Sequence, residues 1–314
     1  MIRKIILYWI ILLAMVWPME VGAQQQPMYT QYMFNGLAIN PAYAGSQETF
    51  TASGLFRKQW VGINDAPQTQ TFSAHSPLDK LRQRKRPGSK VSLGLTIFND
   101  RIAITDQTGI YGAYAYRLRM INNAYFSMGL QAGVSQFRIK YSALSLDDPS
   151  FLKGDINEWV PNFGGGLYYN TQRFYVGFSA PQIFYKSSDP GKASASIKTI
   201  PHYFIAMGYV FDLSDAFKLK PNILLKSIKS NPMQLDVNCN LFLSEVVEFG
   251  FSWRSFESVS SMIQLQVSPR FGFGYAYDMP SGSELSELSG GSHEIMVRYR
   301  SPVKRLKTIN PRYF

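Results

Sequence analysis

Segments in which apolar and polar residues alternate run through this chain of 314 residues, from residue 49 almost to its end. Clear examples are LDVNCNL at residues 235–241, FGFSWR at 249–254 and EIMVRYR at 294–300. Because successive side chains of a β-strand point to opposite faces, each segment predicts a strand with one apolar and one polar face. The pattern therefore predicts an all-β protein.

About fourteen such segments, separated by turn-rich stretches, are predicted strands. They lie near residues 49–57, 68–75, 90–99, 108–119, 124–140, 159–170, 174–181, 202–212, 218–227, 234–242, 247–254, 260–267, 270–277 and 293–299. An even number of antiparallel strands closes into a barrel with both termini on one side, as in single-chain outer-membrane proteins. We therefore predict a transmembrane outer-membrane β-barrel of about 14 antiparallel strands.

The lengths of the connections support closure. One side of the predicted barrel receives the short links at residues 121–123, 170–173, 213–217, 243–246 and 268–269. The other side receives the longer links at residues 141–158, 181–201 and 278–292. Outer-membrane barrels have short periplasmic turns and longer external loops. The side of the short links is therefore predicted to face the periplasm, and residues 76–89 form its one long connection.

The first 23 residues predict an export signal. Arg3 and Lys4 precede an apolar stretch that ends at Trp17, and Val21-Gly22-Ala23 stands before Gln24 as a cleavage site of small residues. Four parts follow from this prediction: a signal peptide at 1–23, an irregular N-terminal periplasmic arm or plug at 24–48, the β-barrel at 49–300 and a C-terminal periplasmic tail at 301–314.

Composition narrows the class of protein further. The mean hydropathy is −0.12, whereas aromatic residues make up 15% of the chain. A barrel combines these values, because its strands alternate lipid-facing and lumen-facing residues and its aromatic side chains collect at the membrane interfaces. Cys239 is the single cysteine, which excludes a disulfide scaffold. Composition excludes a helical membrane protein and leaves a soluble β-sandwich open.

No catalytic or metal-binding motif is found in the sequence. The histidines are His75, His202 and His293, and none has an acidic partner at metal-ligand spacing. A Gly-x-Ser-x-Gly elbow is missing, and the glycines at 164–166 are not followed by Gly-Lys-Ser/Thr. We therefore predict a protein that is not an enzyme and that has no cofactor or metal.

The long connection on the periplasmic side is strongly basic. It contains Lys80, Arg82, Arg84, Lys85 and Arg86. The tail adds Lys304, Arg305, Lys307 and Arg312 on the same side. Two readings stay open, a solvated basic loop or a docking surface for a periplasmic partner or for anionic lipid head groups of the outer membrane. Export disfavours nucleic acid as a partner.

The arm carries the most distinctive motifs of the chain. They are QPMYTQYMFN at residues 26–35 and INPAYAG at 39–45. With RKQW at 57–60, PQT at 67–69, Asn99-Asp100 and PRYF at 311–314, the chain resembles the PorP/SprF family of the type IX secretion system of Bacteroidota. The resemblance extends from the arm to the last residue.

The resemblance implies an outer-membrane component that supports export and surface attachment of large cargo, such as secreted proteases or gliding adhesins. It also implies association with periplasmic and outer-membrane ring proteins of the system and, in some cases, with exported cargo. We expect the arm residues either to plug the lumen or to contact a partner. The expected partner-binding residues are Tyr29, Tyr32, Phe34, Asn35, Asn40, Pro41 and Tyr43 in the arm and Arg82, Arg84, Lys85 and Arg86 in the basic connection.

Two other functions remain open at this stage. A barrel with an N-terminal plug also resembles long-chain fatty-acid transporters, which would make the protein an outer-membrane transporter for hydrophobic small molecules. That function needs a continuous apolar tunnel through the lumen. A soluble surface adhesin with a β-sandwich is the third possibility, and it requires a protein that extracts without detergent.

Overall fold

The computed structural model describes residues 26–78, 89–120, 124–143, 155–183, 200–229, 231–244, 246–255, 257–281 and 285–301. Three short helical turns come first, at Tyr32–Phe34, Gly36–Ile39 and Pro41–Tyr43. The strands are β1 (Thr51–Lys58), β2 (Gln68–Pro77), β3 (Ser89–Ile102), β4 (Thr105–Arg119), β5 (Tyr125–Ile139), β6 (Ile156–Asn170), β7 (Phe174–Ala180), β8 (His202–Tyr209), β9 (Phe211–Asp212), β10 (Phe217–Ile228), β11 (Gln234–Leu243), β12 (Val247–Arg254), β13 (Ser258–Gln266), β14 (Phe271–Pro280) and β15 (Ser292–Arg300). Two further helical turns lie in connections, at Tyr141–Ala143 and Leu285–Leu288.

The strands form one closed antiparallel sheet. Each strand pairs with its neighbour in the chain, and β15 returns to pair with β1, with Thr51 opposite Arg300 and Lys58 opposite His293. Strands β8 and β9 both pair with β10 and are separated only by Val210, so they form one barrel strand with a local break. The closed sheet therefore has 14 strands. The predicted fold class is confirmed, and the predicted segments match the strands to within three residues at either end.

Burial along the strands is the reverse of that in a water-soluble barrel. On β11 and β12 the apolar side chains point outward, and Phe251 is 68% exposed. The polar side chains between them point inward, and Asn240 is fully buried. An apolar exterior and a polar interior suit a barrel surrounded by hydrocarbon. Among the described residues, none of the helices has the length and hydropathy that a membrane crossing requires.

The two ends of the barrel differ in their connections. The end at which β1 begins carries links 171–173, 213–216 and 267–270, and we call it the short-turn end. The opposite end carries links 140–155, 181–201 and 281–291, and we call it the long-loop end. The predicted sides of the long and short links are confirmed. By the convention of outer-membrane barrels, the short-turn end is the one expected to face the periplasm, and this orientation stays a prediction.

The arm, residues 26–48, runs through the lumen from one end to the other. At the long-loop end the Gln26 backbone N–H donates to Nε2 of His202, the first residue of β8. At the short-turn end the Gly45 N–H donates to Nδ1 of His75, near the end of β2. Of the two predicted alternatives, a periplasmic arm or a plug, this path corresponds to a plug. Small wall residues leave room for it: a Cβ on Gly129 would lie 2.2 Å from the Ala42 nitrogen.

Candidate functional site

A cluster of buried charges fixes the arm near the long-loop end, and we call Arg57, Asp278 and Glu294 the arm clamp. The backbone N–H groups of Thr30 and Gln31 donate to the two carboxylate oxygens of Glu294, at 2.9 and 2.8 Å. Arg57 Nη1 lies 2.6 Å from Asp278 Oδ2 and 3.1 Å from Glu294 Oε2. These side chains are at most 3% exposed, so each charge depends on the others for compensation.

The clamp joins three strands to the arm. Arg57 lies on β1, Asp278 on β14 and Glu294 on β15, and Arg57 is directly opposite Glu294 where the first and last strands pair. The Thr30 hydroxyl donates to Asp278 at 2.7 Å and accepts from Arg57 Nη1 at 2.7 Å. A single threonine of the arm is thus bonded to both sides of the seam that closes the barrel.

A second ion pair holds Tyr29, the arm residue that precedes Thr30. Arg254 Nη2 donates to the Tyr29 carbonyl oxygen at 3.1 Å, and Arg254 Nε donates to Asp236 Oδ2 at 2.9 Å. The Tyr29 hydroxyl shares a hydrogen bond of 2.9 Å with the Thr71 hydroxyl. The arm is therefore held through its backbone as well as its side chains.

The middle of the arm bonds mainly through asparagines. Asn35 Oδ1 accepts from the Ser73 hydroxyl at 2.6 Å. Asn40 Oδ1 accepts from the Ala42 N–H and caps the turn that begins at Pro41, while Asn40 Nδ2 donates to the Leu167 carbonyl oxygen at 2.9 Å. The Asn-Pro-Ala-Tyr motif therefore has a local capping role and a contact with β6.

The arm turns sharply as it reaches the short-turn end. The Tyr43 ring packs edge-on against His75 and Tyr168, with ring centroids 5.6 Å apart in each pair. Gly45 follows with φ of +76°, a conformation that glycine adopts without strain, and a Cβ there would lie 2.0 Å from Ser92 Oγ. Arg117 Nη1 donates to the Gly45 carbonyl oxygen. The glycine is thus required by backbone conformation and by the wall.

Positive charge lines the lumen toward the short-turn end. Phe34 lies under two cations, with Lys220 Nζ 5.6 Å and the Arg298 guanidinium carbon 5.7 Å from its ring centre. Arg300 adds a third inward-facing cation, and Glu248 is the acidic side chain that interacts with Lys220. The long-loop half, in contrast, contains the carboxylates of the arm clamp. The lumen is therefore electropositive toward the short-turn end.

Burial also determines the protonation of the arm tyrosines. It raises the pKa of the Tyr29 phenol and that of the Tyr32 phenol above the ordinary value of 10.0, because the phenolate would lose its hydration in the lumen. The Tyr32 hydroxyl donates to Asn238 Oδ1 at 3.0 Å. Both side chains therefore stay neutral hydrogen-bonding groups even at an alkaline pH that ionises an exposed phenol.

The structure places the predicted arm residues together inside the barrel. Phe34 is half-buried, and the other six are buried: Tyr29, Tyr32, Asn35, Asn40, Pro41 and Tyr43. The predicted basic residues lie outside the described residues: Arg82, Arg84, Lys85 and Arg86, together with the tail after residue 301. Partner binding by either set stays a prediction.

Sequence reasoning missed the charges that fix the arm. Arg57 entered only as part of a motif, and Asp278, Glu294 and Arg254 were not singled out. Their signal was present, because Glu294 and Arg254 lie on the polar faces of predicted strands. Charges of both signs on lumen-facing positions indicate compensating partners across the lumen.

Comparison with protein families identifies a match over most of the chain. The family described as type IX secretion system membrane protein PorP/SprF matches the chain over residues 21–299. A search of curated proteins finds no match.

Solved outer-membrane barrels resemble the chain only distantly. Omp33 from Acinetobacter baumannii is 10% identical with a TM-score of 0.42, covering 81% of this chain and 98% of that one. The translocator domain of autotransporter NalP from Neisseria meningitidis is 11% identical with a TM-score of 0.40, covering 86% and 93%. A deletion mutant of TodX, a monoaromatic hydrocarbon channel, is 8% identical with a TM-score of 0.47, covering 87% and 94%. Likenesses at this level assign no activity.

Proposed function

The chain belongs to the PorP/SprF family of type IX secretion system membrane proteins, and on this basis we propose that it acts by binding periplasmic partners in support of the export and surface attachment of large cargo proteins. It is an outer-membrane β-barrel. Its proposed role is non-enzymatic, as anchor and docking platform. The cargo would be a secreted protease or a gliding adhesin.

The observation that carries the proposal is the arm in the lumen. Three arm residues are buried against the wall: Gln31 and Tyr32 near the long-loop end and Tyr43 near the short-turn end. The arm clamp holds the part near the long-loop end with paired charges. A folded or extended cargo chain has no path through a lumen filled in this way. The barrel therefore supports a docking role better than a conducting one.

Charge supports the periplasmic mouth as the docking surface. Lys220, Arg298 and Arg300 make the lumen basic toward the short-turn end, and the connection between β2 and β3, residues 78–88, joins these strands at the same end. We propose that Arg82, Arg84, Lys85 and Arg86 bind an acidic surface of a periplasmic component, since complementary charge increases both encounter rate and specificity. The seven arm residues then act by filling the barrel.

The test replaces the four basic residues of the connection. We expect a variant with serine at Arg82, Arg84, Lys85 and Arg86 to insert normally but to recover roughly tenfold less periplasmic partner from detergent-solubilised outer membranes. Mass spectrometry of the captured proteins and the cargo level at the cell surface are the measurements.

The matched control removes the same number of charges from the opposite end. Its positions are Lys58, Arg101, Lys140 and Lys229, which are exposed near the long-loop end. The control should keep both partner capture and cargo export. Equal partner recovery from both variants and the unmodified protein would show that the basic connection is only a solvated loop.

The transporter alternative is less well supported. A transporter for hydrophobic small molecules requires a continuous apolar path, whereas polar contacts of Thr30, Asn35 and Asn40 with the wall interrupt the lumen.

A further inference from the structure

A cavity lies between the start of the arm and the barrel wall in the long-loop half. Its volume is about 750 Å³, including the part that is open to solvent. On one side it is lined by arm residues that include Gln26 and Met28. Residues of β8, β10 and β11 line the other side, among them Phe204, Leu224 and Lys226. The arm therefore creates the cavity as well as filling the lumen below it.

Lys226 is the unusual residue of this cavity. It is only 5% exposed, yet among the described residues it takes part in no hydrogen bond or ion pair. The nearby carboxylates of Asp236 and Glu257 are bonded to Arg254, at 2.9 and 3.3 Å. A buried ammonium group without a bonded anion is costly, and proteins normally compensate it.

A second donor in the same cavity also lacks an acceptor. Gln26 lines the cavity, and its side-chain Nε2 is buried without a hydrogen-bond partner among the described residues. A buried donor without a partner carries the full cost of its lost hydration. Beside the Lys226 ammonium group, which has no bonded anion within the described part of the chain, this donor is complementary to a ligand that supplies acceptor oxygens.

Most of the other lining residues are apolar or aromatic, and the charged ones, Asp236 and Arg254, are paired with each other. Met28, Tyr32 and Ile39 of the arm face Phe98, Phe204 and Leu224 of the wall. Burial of an apolar ligand against such walls is favourable, and a few polar groups fix the orientation of the ligand. The occupant therefore combines an apolar body with an anionic end.

We propose that this cavity is a binding site for a carboxylate carried on an apolar stem, with Lys226 as the ion-pair partner and Gln26 as an additional donor. Two sources share this chemistry, a free apolar carboxylic acid and the apolar C-terminal residue of a peptide. The site lies at the end opposite to the proposed docking surface and does not depend on that function. Its ligand would enter from the long-loop end.

The experiment uses the full mature protein in lipid nanodiscs and isothermal titration calorimetry. The probes are octanoate and a tetrapeptide that ends in leucine with a free carboxylate, each compared with its amide. We expect at least one carboxylate probe to bind, and its amide to bind at least about tenfold more weakly, because a hydrogen bond to a charged group is lost. The probe that binds identifies the source.

Variants assign the binding to this cavity. Lys226→Met should weaken the carboxylate at least about tenfold, whereas Lys229→Met removes the same charge from an exposed position at the same end and should leave affinity unchanged. Gln26→Leu, which keeps the backbone bond to His202, should weaken binding severalfold and serves if the first variant does not fold. Absence of binding by both carboxylates, or equal affinity in the Lys226 and Lys229 variants, would overturn the proposal.

Discussion

Individual buried charges determine where the arm lies. Glu294 accepts two backbone N–H groups of the arm and pairs with Arg57, and all of these atoms are shielded from water. A buried ion pair of this kind contributes little more to stability than apolar residues of similar volume would. Removal of one partner, however, leaves a buried charge with less compensation. The arm clamp is therefore expected to specify the position of the arm more than it adds to overall stability.

Glu294→Gln tests the arm clamp. The change keeps the shape of the side chain but removes one of the two carboxylate charges that compensate Arg57, so we expect a loss of about 3 kcal/mol in the free energy of unfolding. Urea unfolding of the refolded barrel, followed by tryptophan fluorescence, measures it. Asp106→Asn is the control, because its pair with Arg138 is exposed and should cost less than about 1 kcal/mol. Equal effects of the two changes would contradict the role of the clamp.

Gly45 offers a test of the turn at the short-turn end. Gly45→Ala places a Cβ at positive φ and against Ser92, so we expect a loss of at least about 1–2 kcal/mol. Gly54→Ala is the matched control, since no atom lies within 4 Å of its added Cβ. The urea midpoint of each variant provides the comparison, and a Gly45 variant as stable as the Gly54 variant would refute the argument.

The arm tyrosines predict a decline of stability at alkaline pH. Because burial raises the pKa of Tyr29 and of Tyr32, the unfolded phenols ionise above pH 10 while the folded ones stay neutral. Their contribution is complete below pH 10 and is lost as pH rises toward the folded pKa, by up to about 1.4 kcal/mol per pH unit for each tyrosine. Unfolding from pH 8 to 12 should show this decline, and Tyr29→Phe should reduce its slope. If Tyr29→Phe leaves the slope unchanged, ionisation of Tyr29 does not cause the decline.

At the level of elements, the strands and the arm differ in how much their sequence reveals. Alternation with a period of two determines both the strands and the direction of their side chains, so the strands were predictable from local sequence alone. The arm has no such period. Its position depends on contacts such as Thr30 with Glu294, which are 264 residues apart in sequence. The sequence left open whether the arm plugs the lumen, and the structure places it inside the barrel as far as the long-loop end.

Deletion of residues 26–45 tests whether the arm closes the lumen. Without it the inward-facing polar and charged side chains would line a water-filled channel, so we expect discrete conductance steps in planar lipid bilayers where the intact protein shows none. The clamp variant Glu294→Gln, which keeps the arm, should conduct less than the deletion. A deletion variant that inserts as a barrel yet does not conduct would show that the arm is not the barrier.

The same deletion separates two roles of the arm in the cell. If the arm residues only fill the barrel, partner capture through the basic connection should persist in a well-inserted deletion variant. If Tyr29, Tyr32 and the other arm residues contact the partner, capture should be lost although the connection is unchanged. Pull-down from detergent-solubilised outer membranes distinguishes these results.

At the scale of the whole molecule, three environments are separated. The outward faces of the strands are apolar, the lumen toward the short-turn end is basic, and the long-loop half contains the cavity beside Lys226. Closure and the division into two ends followed from the alternation and the lengths of the connections. The cavity could not be predicted in this way, because arm and wall form it together. Gln26 belongs to the arm motif but nothing in that motif indicates a cavity, and Lys226 has no sequence signal of its own.

The position of Thr30 across the seam has a consequence for biogenesis. Arg57 on the first strand and Glu294 on the last meet only when the sheet closes, and Thr30 bonds to both at that point. A sheet that closed before the arm entered the lumen would bring these charges together without the hydrogen bonds that the arm supplies. We therefore expect the barrel to close around its own N-terminal segment. Insertion into the membrane and sealing of the lumen against leakage would then occur in the same step.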